Sequence, residues 1–146
     1  MSGVDEQALA ERVVTHMMAR DAFSQWLGIH VVEIQPNAAT VRMTVREEMV
    51  NGFGVCHGGI TFSLADSALA FASNTHGRLT MSIENSITYP KSVSPGDVLT
   101  ARAEQESASN RLAFFRVIVR RADEETVALF RGTVYKTQNA FFSDSE

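Results

Sequence analysis

Apolar positions recur with a helical period over the first stretch of the chain: Leu9, Val13 and Met17 fall at i, i+4 and i+8, with Ala10, Val14 and Met18 beside them and charge opposite. The pattern predicts an amphipathic helix over residues 4–20. A short second helix over 22–27 follows, with Asp21 as its cap and Gly28 as its stop. The period then drops to two. Residues 29–35 are rich in β-branched side chains and end at Pro36 and Asn37, after which Ala39, Val41, Met43 and Val45 alternate with Thr40, Arg42, Thr44 and Arg46. Such alternation means one buried and one wet face, as in an antiparallel hairpin.

Residues 58–74 break both patterns, because apart from Asp66 they are apolar or small all round. A helix of that kind is surrounded by protein on most sides, so this is the predicted central helix. Strand-like runs follow at 80–89, 97–107, 112–121 and 125–137, separated by turn signals at Ser94-Pro95-Gly96, Ser109-Asn110 and Ala122-Asp123-Glu124. The order of hairpin, buried helix and antiparallel strands predicts an α+β fold in which a curved antiparallel sheet wraps one long helix. The expected organisation is a single domain over 1–146, with N-terminal helices over 1–27 and a flexible tail over 138–146.

Composition narrows the class. With 146 residues, 45% of them hydrophobic and 21% charged, the chain can bury a core without metals or disulfides. The net charge of −4 argues against a nucleic-acid partner and leaves a small molecule as the better guess. The first twenty residues hold no continuous apolar block, and Asp66 interrupts the longest apolar stretch, so neither a signal peptide nor a membrane span is expected. The lone Cys56 excludes an internal disulfide, which favours the cytoplasm. His16, His30, His57 and His76 lack ligand spacing with Cys or carboxylates, and no metal site is expected.

An aspartate within an apolar helix needs a reason, because burying an unpaired carboxylate costs several kcal/mol. Asp66 either bonds Ser63, Ser67 or a backbone donor and fixes packing, or it serves as a general base or nucleophile whose burial tunes its proton affinity. Gly58 and Gly59 favour the second reading: two glycines at a helix start let a ligand approach bare N–H groups at the positive end of the dipole. Such an end can hold the oxygen of an acyl thioester as it gains charge. The plainer alternative is a tight turn. Asp66 follows Gly59 by seven residues, on the same face but roughly 10 Å along the axis. One carbonyl cannot touch both, so donors and carboxylate acting together come most simply from two chains related by a two-fold axis.

Asn51-Gly52, Cys56-His57-Gly58-Gly59 and Phe62-Ser63-Leu64-Ala65-Asp66 together resemble the motif of hotdog-fold acyl-CoA thioesterases of the phenylacetic-acid-degradation type. The segment Val127-Ala128-Leu129-Phe130-Arg131-Gly132 is similar to that subfamily as well, and the likeness runs from about Phe23 to Thr137. The resemblance implies hydrolysis of phenylacetyl-CoA or its ring-hydroxylated relatives, with coenzyme A as part of the substrate and no cofactor. It implies Asp66 as base or nucleophile, Gly58 as backbone donor to the thioester carbonyl with Gly59 beside it, and Asn51 holding the attacking water or the carboxylate. His57 would shape the loop before the donor helix, and Ser82 would assist the water. It further implies a homodimer with shared sites, two dimers forming a tetramer.

The chain departs from the subfamily where a strand usually ends in aromatic-Leu-Arg-Pro, since it reads Tyr89-Pro90-Lys91-Ser92. Lys91 could replace that arginine near the nucleotide phosphates, or be a solvated strand-end lysine. Phe53, Phe62, Phe71, Met81 and Tyr89 could line an acyl pocket or be plain core. Arg116, Arg120 and Arg121 read as a solvated strand edge. Cys56 reads as a small apolar neighbour of the motif. Ser63, His57 and Asp66 do not make a serine-hydrolase triad, because a serine in mid-helix lacks the exposed turn that such a nucleophile needs. A hydratase or dehydratase pairing His57 with Asp66, and a non-catalytic acyl-CoA binding module, are the competing functions.

Overall fold

The computed structural model describes residues 3–143. Helix α1 (Gly3–Arg20) and helix α2 (Ala22–Leu27) open the chain. Asp21 caps α2 by accepting from the Ser24 N–H at 2.9 Å, and Gly28 ends it in the left-handed region at φ 79°, as the sequence predicts. Strands β1 (His30–Gln35) and β2 (Ala38–Thr44) form the hairpin, turning at Asn37 with φ 64°. A single 3-10 turn at Glu47–Met49 leads into helix α3 (Gly58–Asn74), whose bounds match the predicted ones. Strands β3 (Arg78–Thr88), β4 (Val98–Ala108), β5 (Leu112–Arg120) and β6 (Thr126–Ala140) complete the sheet.

All strand pairs are antiparallel and their order is β1-β2-β4-β5-β6-β3. Leu64, Ala65, Ala68, Leu69, Phe71 and Ala72 of α3 are fully buried against the concave face, among Val41, Met43, Leu99, Phe115, Val117 and Phe130. The alanines on this side let helix and sheet approach closely, and Leu69 and Phe71 fill what remains. Val13, Val14 and Ala10 of α1 are buried too, so the apolar face of the predicted amphipathic helix packs on the rest of the chain.

Helix α3 is enclosed on most sides, as expected: in the single chain Gly59 is exposed and Phe62, Ser63, Asp66 and Ala70 are only half-buried, so one stripe of the helix stays open. Two expectations need correction. Arg116 and Arg120 do not lie on a strand edge, because β5 is an interior strand; they project from the outer face of the sheet, where Arg116 meets Glu104 on β4. The expected tail begins too early. Strand β6 runs to Ala140 and the Phe141 N–H donates to Gly77 O at 2.9 Å, while residues 144–146 lie outside the described residues. No helix among the described residues is long and apolar enough to cross a membrane.

Candidate active site

The start of α3 divides its amide groups between two tasks. His57 is the N-cap residue, and its Nδ1 accepts from the Gly59 N–H at 2.9 Å. The Ile60 N–H donates to His57 O at 2.9 Å. The Gly58 N–H has no partner within the described residues, which leaves it as the donor this helix end can offer a ligand. The Gly59 N–H is thus engaged in the turn, within the chain, by His57. Gly58 is held from the other side by Tyr89, whose hydroxyl donates to Gly58 O at 2.8 Å. A Cβ on Gly58 would stand 3.1 Å from the Tyr89 ring, so a larger residue there must move the tyrosine.

Gly58, Tyr89 and Lys91 line one cavity of about 370 Å³ together with Cys56, Thr61 and Val93. Lys91 pairs with Glu125 at 2.7 Å on the rim. The Cys56 thiol is buried, and that burial pushes its proton affinity up, away from reactivity. Asn51 closes the loop before the helix: its Oδ1 accepts from the Phe53 N–H at 2.8 Å and from the Val55 N–H at 3.4 Å. Its carboxamide nitrogen has no partner within the described residues, so only the donor end of Asn51 can serve a water or a carboxylate.

Asp66 lies elsewhere. It lines a second cavity of about 470 Å³ with Ser82 and with the apolar side chains of Met17, Leu69, Met81 and Phe141. Neither Ser63 nor Ser67 bonds it: the Ser63 hydroxyl donates back to Gly59 O, and Ser67 shares a bond with Ser24. Its partner is Asn85, whose Nδ2 donates to Oδ1 at 3.4 Å. Burial raises the proton affinity of the Asp66 carboxyl; the Asn85 bond pulls it partly back, and the Asp21 carboxylate adds a smaller push upward. Asn85 carried no signal in the sequence beyond being one polar residue in a mixed strand.

One chain thus brings Asp66 and Ser82 together, and Gly58 and Lys91 together, but not the two pairs. Of the acyl-pocket candidates, Phe71 is core, Met81 borders the Asp66 cavity, Tyr89 borders Gly58, and Phe53 is 92% exposed. Phe62 stacks edge-on against Phe130 at 5.3 Å. With Nδ1 accepting from Gly59, His57 acts as a helix cap, and only its Nε2 faces other partners. No cluster of His, Cys, Asp and Glu that could hold a metal occurs among the described residues.

Comparison with known proteins places this geometry in context. Residues 53–128 match the model of the thioesterase superfamily. The chain is 39% identical over 140 residues to a putative esterase of Archaeoglobus fulgidus, covering 96% of this chain and 91% of that protein. It is 35% identical over 120 residues to acyl-coenzyme A thioesterase PaaI of Escherichia coli, covering 82% and 86% of the two. The solved structure of the E. coli PaaI protein, from the phenylacetic acid degradation operon, superposes with a TM-score of 0.90 at 32% identity, covering 92% of this chain and 97% of that one.

Proposed function

The chain belongs to the thioesterase superfamily and has its hotdog fold, and from that membership we propose that it hydrolyses acyl-CoA thioesters, with phenylacetyl-CoA or a ring-hydroxylated relative as substrate. The observation that carries the reading is the pairing, on one helix, of an unspent amide at Gly58 with a carboxylate at Asp66 whose proton affinity burial has raised. The Gly58 N–H and the helix dipole stabilise the thioester oxygen as it becomes anionic. Asp66 either takes a proton from water as that water attacks, or attacks the carbonyl itself and is released by water. Both routes yield the free acid and CoA.

The apolar walls of the Asp66 cavity suit an aryl-acetyl group, and its volume of about 470 Å³ exceeds what a short acyl group fills. The operon context of the E. coli relative supports the same class. Lys91, beside Gly58, would meet the phosphates of the CoA arm.

The site is completed by a second chain. From Gly58 to Asp66 the helix rises about 12 Å, beyond the reach of one carbonyl. Strand β3 is an edge strand with no buried residue, and it exposes Leu79, Met81 and Ile83, the last at 58%. A free edge bearing large apolar side chains is poorly suited to water and well suited to pairing with its own copy. In that homodimer the Asp66 of one protomer faces Gly58 and Asn51 of its partner, and two dimers make the tetramer.

Asp66→Ala, assayed by release of free thiol from phenylacetyl-CoA, is expected to keep the fold and lose about a hundredfold or more in turnover. Near-native rates would overturn the assignment. On an acyl-CoA panel, aryl-acetyl esters should exceed acetyl-CoA in kcat/KM; a preference for acetyl-CoA would refute the substrate class.

A further inference from the structure

Strand β3 carries a register shift between Ser82 and Glu84 in its ladder with β6. In a regular strand, residues three apart face opposite sides. The shift brings Ser82 and Asn85 to one side, and the Ser82 hydroxyl donates to Asn85 Oδ1 at 2.7 Å. Asn85 Nδ2 in turn donates to Asp66 Oδ1. The carboxamide is thereby used at both ends, in the only orientation that gives the carboxylate a donor and the serine an acceptor. Among the described residues Asp66 Oδ2 has no hydrogen-bond partner.

Room for this arrangement comes from β6. Gly132 stands opposite Asn85 in the ladder, and a Cβ there would lie 2.8 Å from Asn85 Oδ1 and 2.5 Å from Leu69 Cδ2. Leu69 is fully buried beneath the same cavity and cannot swing into solvent. A side chain at 132 would therefore push the carboxamide off its two partners.

We propose that Asn85 is a positioning residue for Asp66, linking Ser82 to the carboxylate through its carboxamide so that Oδ2 is aimed at the reacting centre, with Gly132 as the clearance it requires. The bulge in β3 is the device that makes this possible, in keeping with the way bulges re-aim side chains beside active sites. The bond of 3.4 Å is long, as such contacts commonly are before substrate binds. It also favours the charged form of Asp66 against burial and against Asp21; among the described residues no other titratable side chain lines the Asp66 cavity. Ser82 is ordered by the same contact: with its proton committed to Asn85, its lone pairs are left to accept from a water.

The proposal rests on the reading of Asp66 as the reacting carboxylate, and the test separates the two. Asn85→Leu, Asn85→Asp and Gly132→Ala are assayed for kcat and KM across pH beside Asp66→Asn, each first shown folded by a melting curve. Asn85→Leu should lower kcat by about ten- to a hundredfold with KM within about twofold, and move the acid limb of the kcat profile to higher pH. Asn85→Asp, the same shape with a like charge, should move that limb further up. Gly132→Ala should shift it in the same direction, and should add little when combined with Asn85→Leu. Asn85→Gln, which retains the carboxamide, should recover part of the loss. An unmoved acid limb in both Asn85 variants, whatever happens to kcat, would overturn the positioning role. If Asp66→Asn were fully active, the reading of Asp66 would fall first and this one with it.

Discussion

Asp66 combines a catalytic assignment with a measurable cost. Its carboxyl binds a proton more readily in the folded protein than in the unfolded chain, chiefly through burial. Between the two proton affinities the native state holds more protons than the unfolded one, so this group lowers stability as pH rises through that window. Asp66→Asn removes the effect. It should raise Tm relative to the native chain at pH 7, and the difference should shrink toward about pH 4, where the unfolded carboxyl also becomes protonated. A Tm difference independent of pH would contradict the burial argument. The position was legible as an anomaly in an apolar run. Its partner Asn85 was not, because the sequence shows neither the bulge in β3 nor the gap left by Gly132.

At the scale of the element, α3 is a helix whose first turn has been arranged to leave one amide free. The His57 imidazole takes the Gly59 N–H, and Tyr89, just past the end of β3, secures the carbonyl of Gly58. Replacing His57 by Ala should cost about 1 kcal/mol, as loss of an N-cap bond does, and lower Tm by about 4 °C. Because His57 moves no proton in this scheme, the pH profile of hydrolysis should keep its shape in His57→Ala, which steady-state rates across pH would check. A vanished limb would restore the histidine to the chemistry and favour the hydratase reading. The helix span was readable from small and apolar residues between Gly58 and Asn74. The division of labour between the two glycines was not, since both have the same residue type and only the direction of the His57 ring distinguishes them.

For the whole molecule, the proposed dimer would cover both the open stripe on α3 and the bare edge of β3. Mass in solution should be two or four times the 16.0 kDa of the chain, and a stable monomer would contradict the shared site. Ile83→Asp, at the exposed edge, should weaken the dimer and abolish turnover, although Asp66 and Gly58 are untouched. A sharper check mixes two inactive variants, Asp66→Ala and Gly58→Val, whose subunits exchange. If each site takes Asp66 from one chain and Gly58 from the other, half the chains pair as heterodimers with one intact site each, and about a quarter of native activity returns. No recovery would place both groups in one chain. The periodicities in the sequence determined the elements and their order, because hydrophobic spacing reports directly which face of a helix or strand leaves water. They also marked Asp66 and the glycines, because burying a charge or dispensing with a side chain carries a local cost that must be offset. Tertiary structure alone decided that β5 is interior and β3 an edge, that Asn85 and not Ser63 or Ser67 meets Asp66, and that Gly58 and Asp66 open into separate cavities. Those facts depend on pairing and register between segments distant in the chain, which local spacing does not encode.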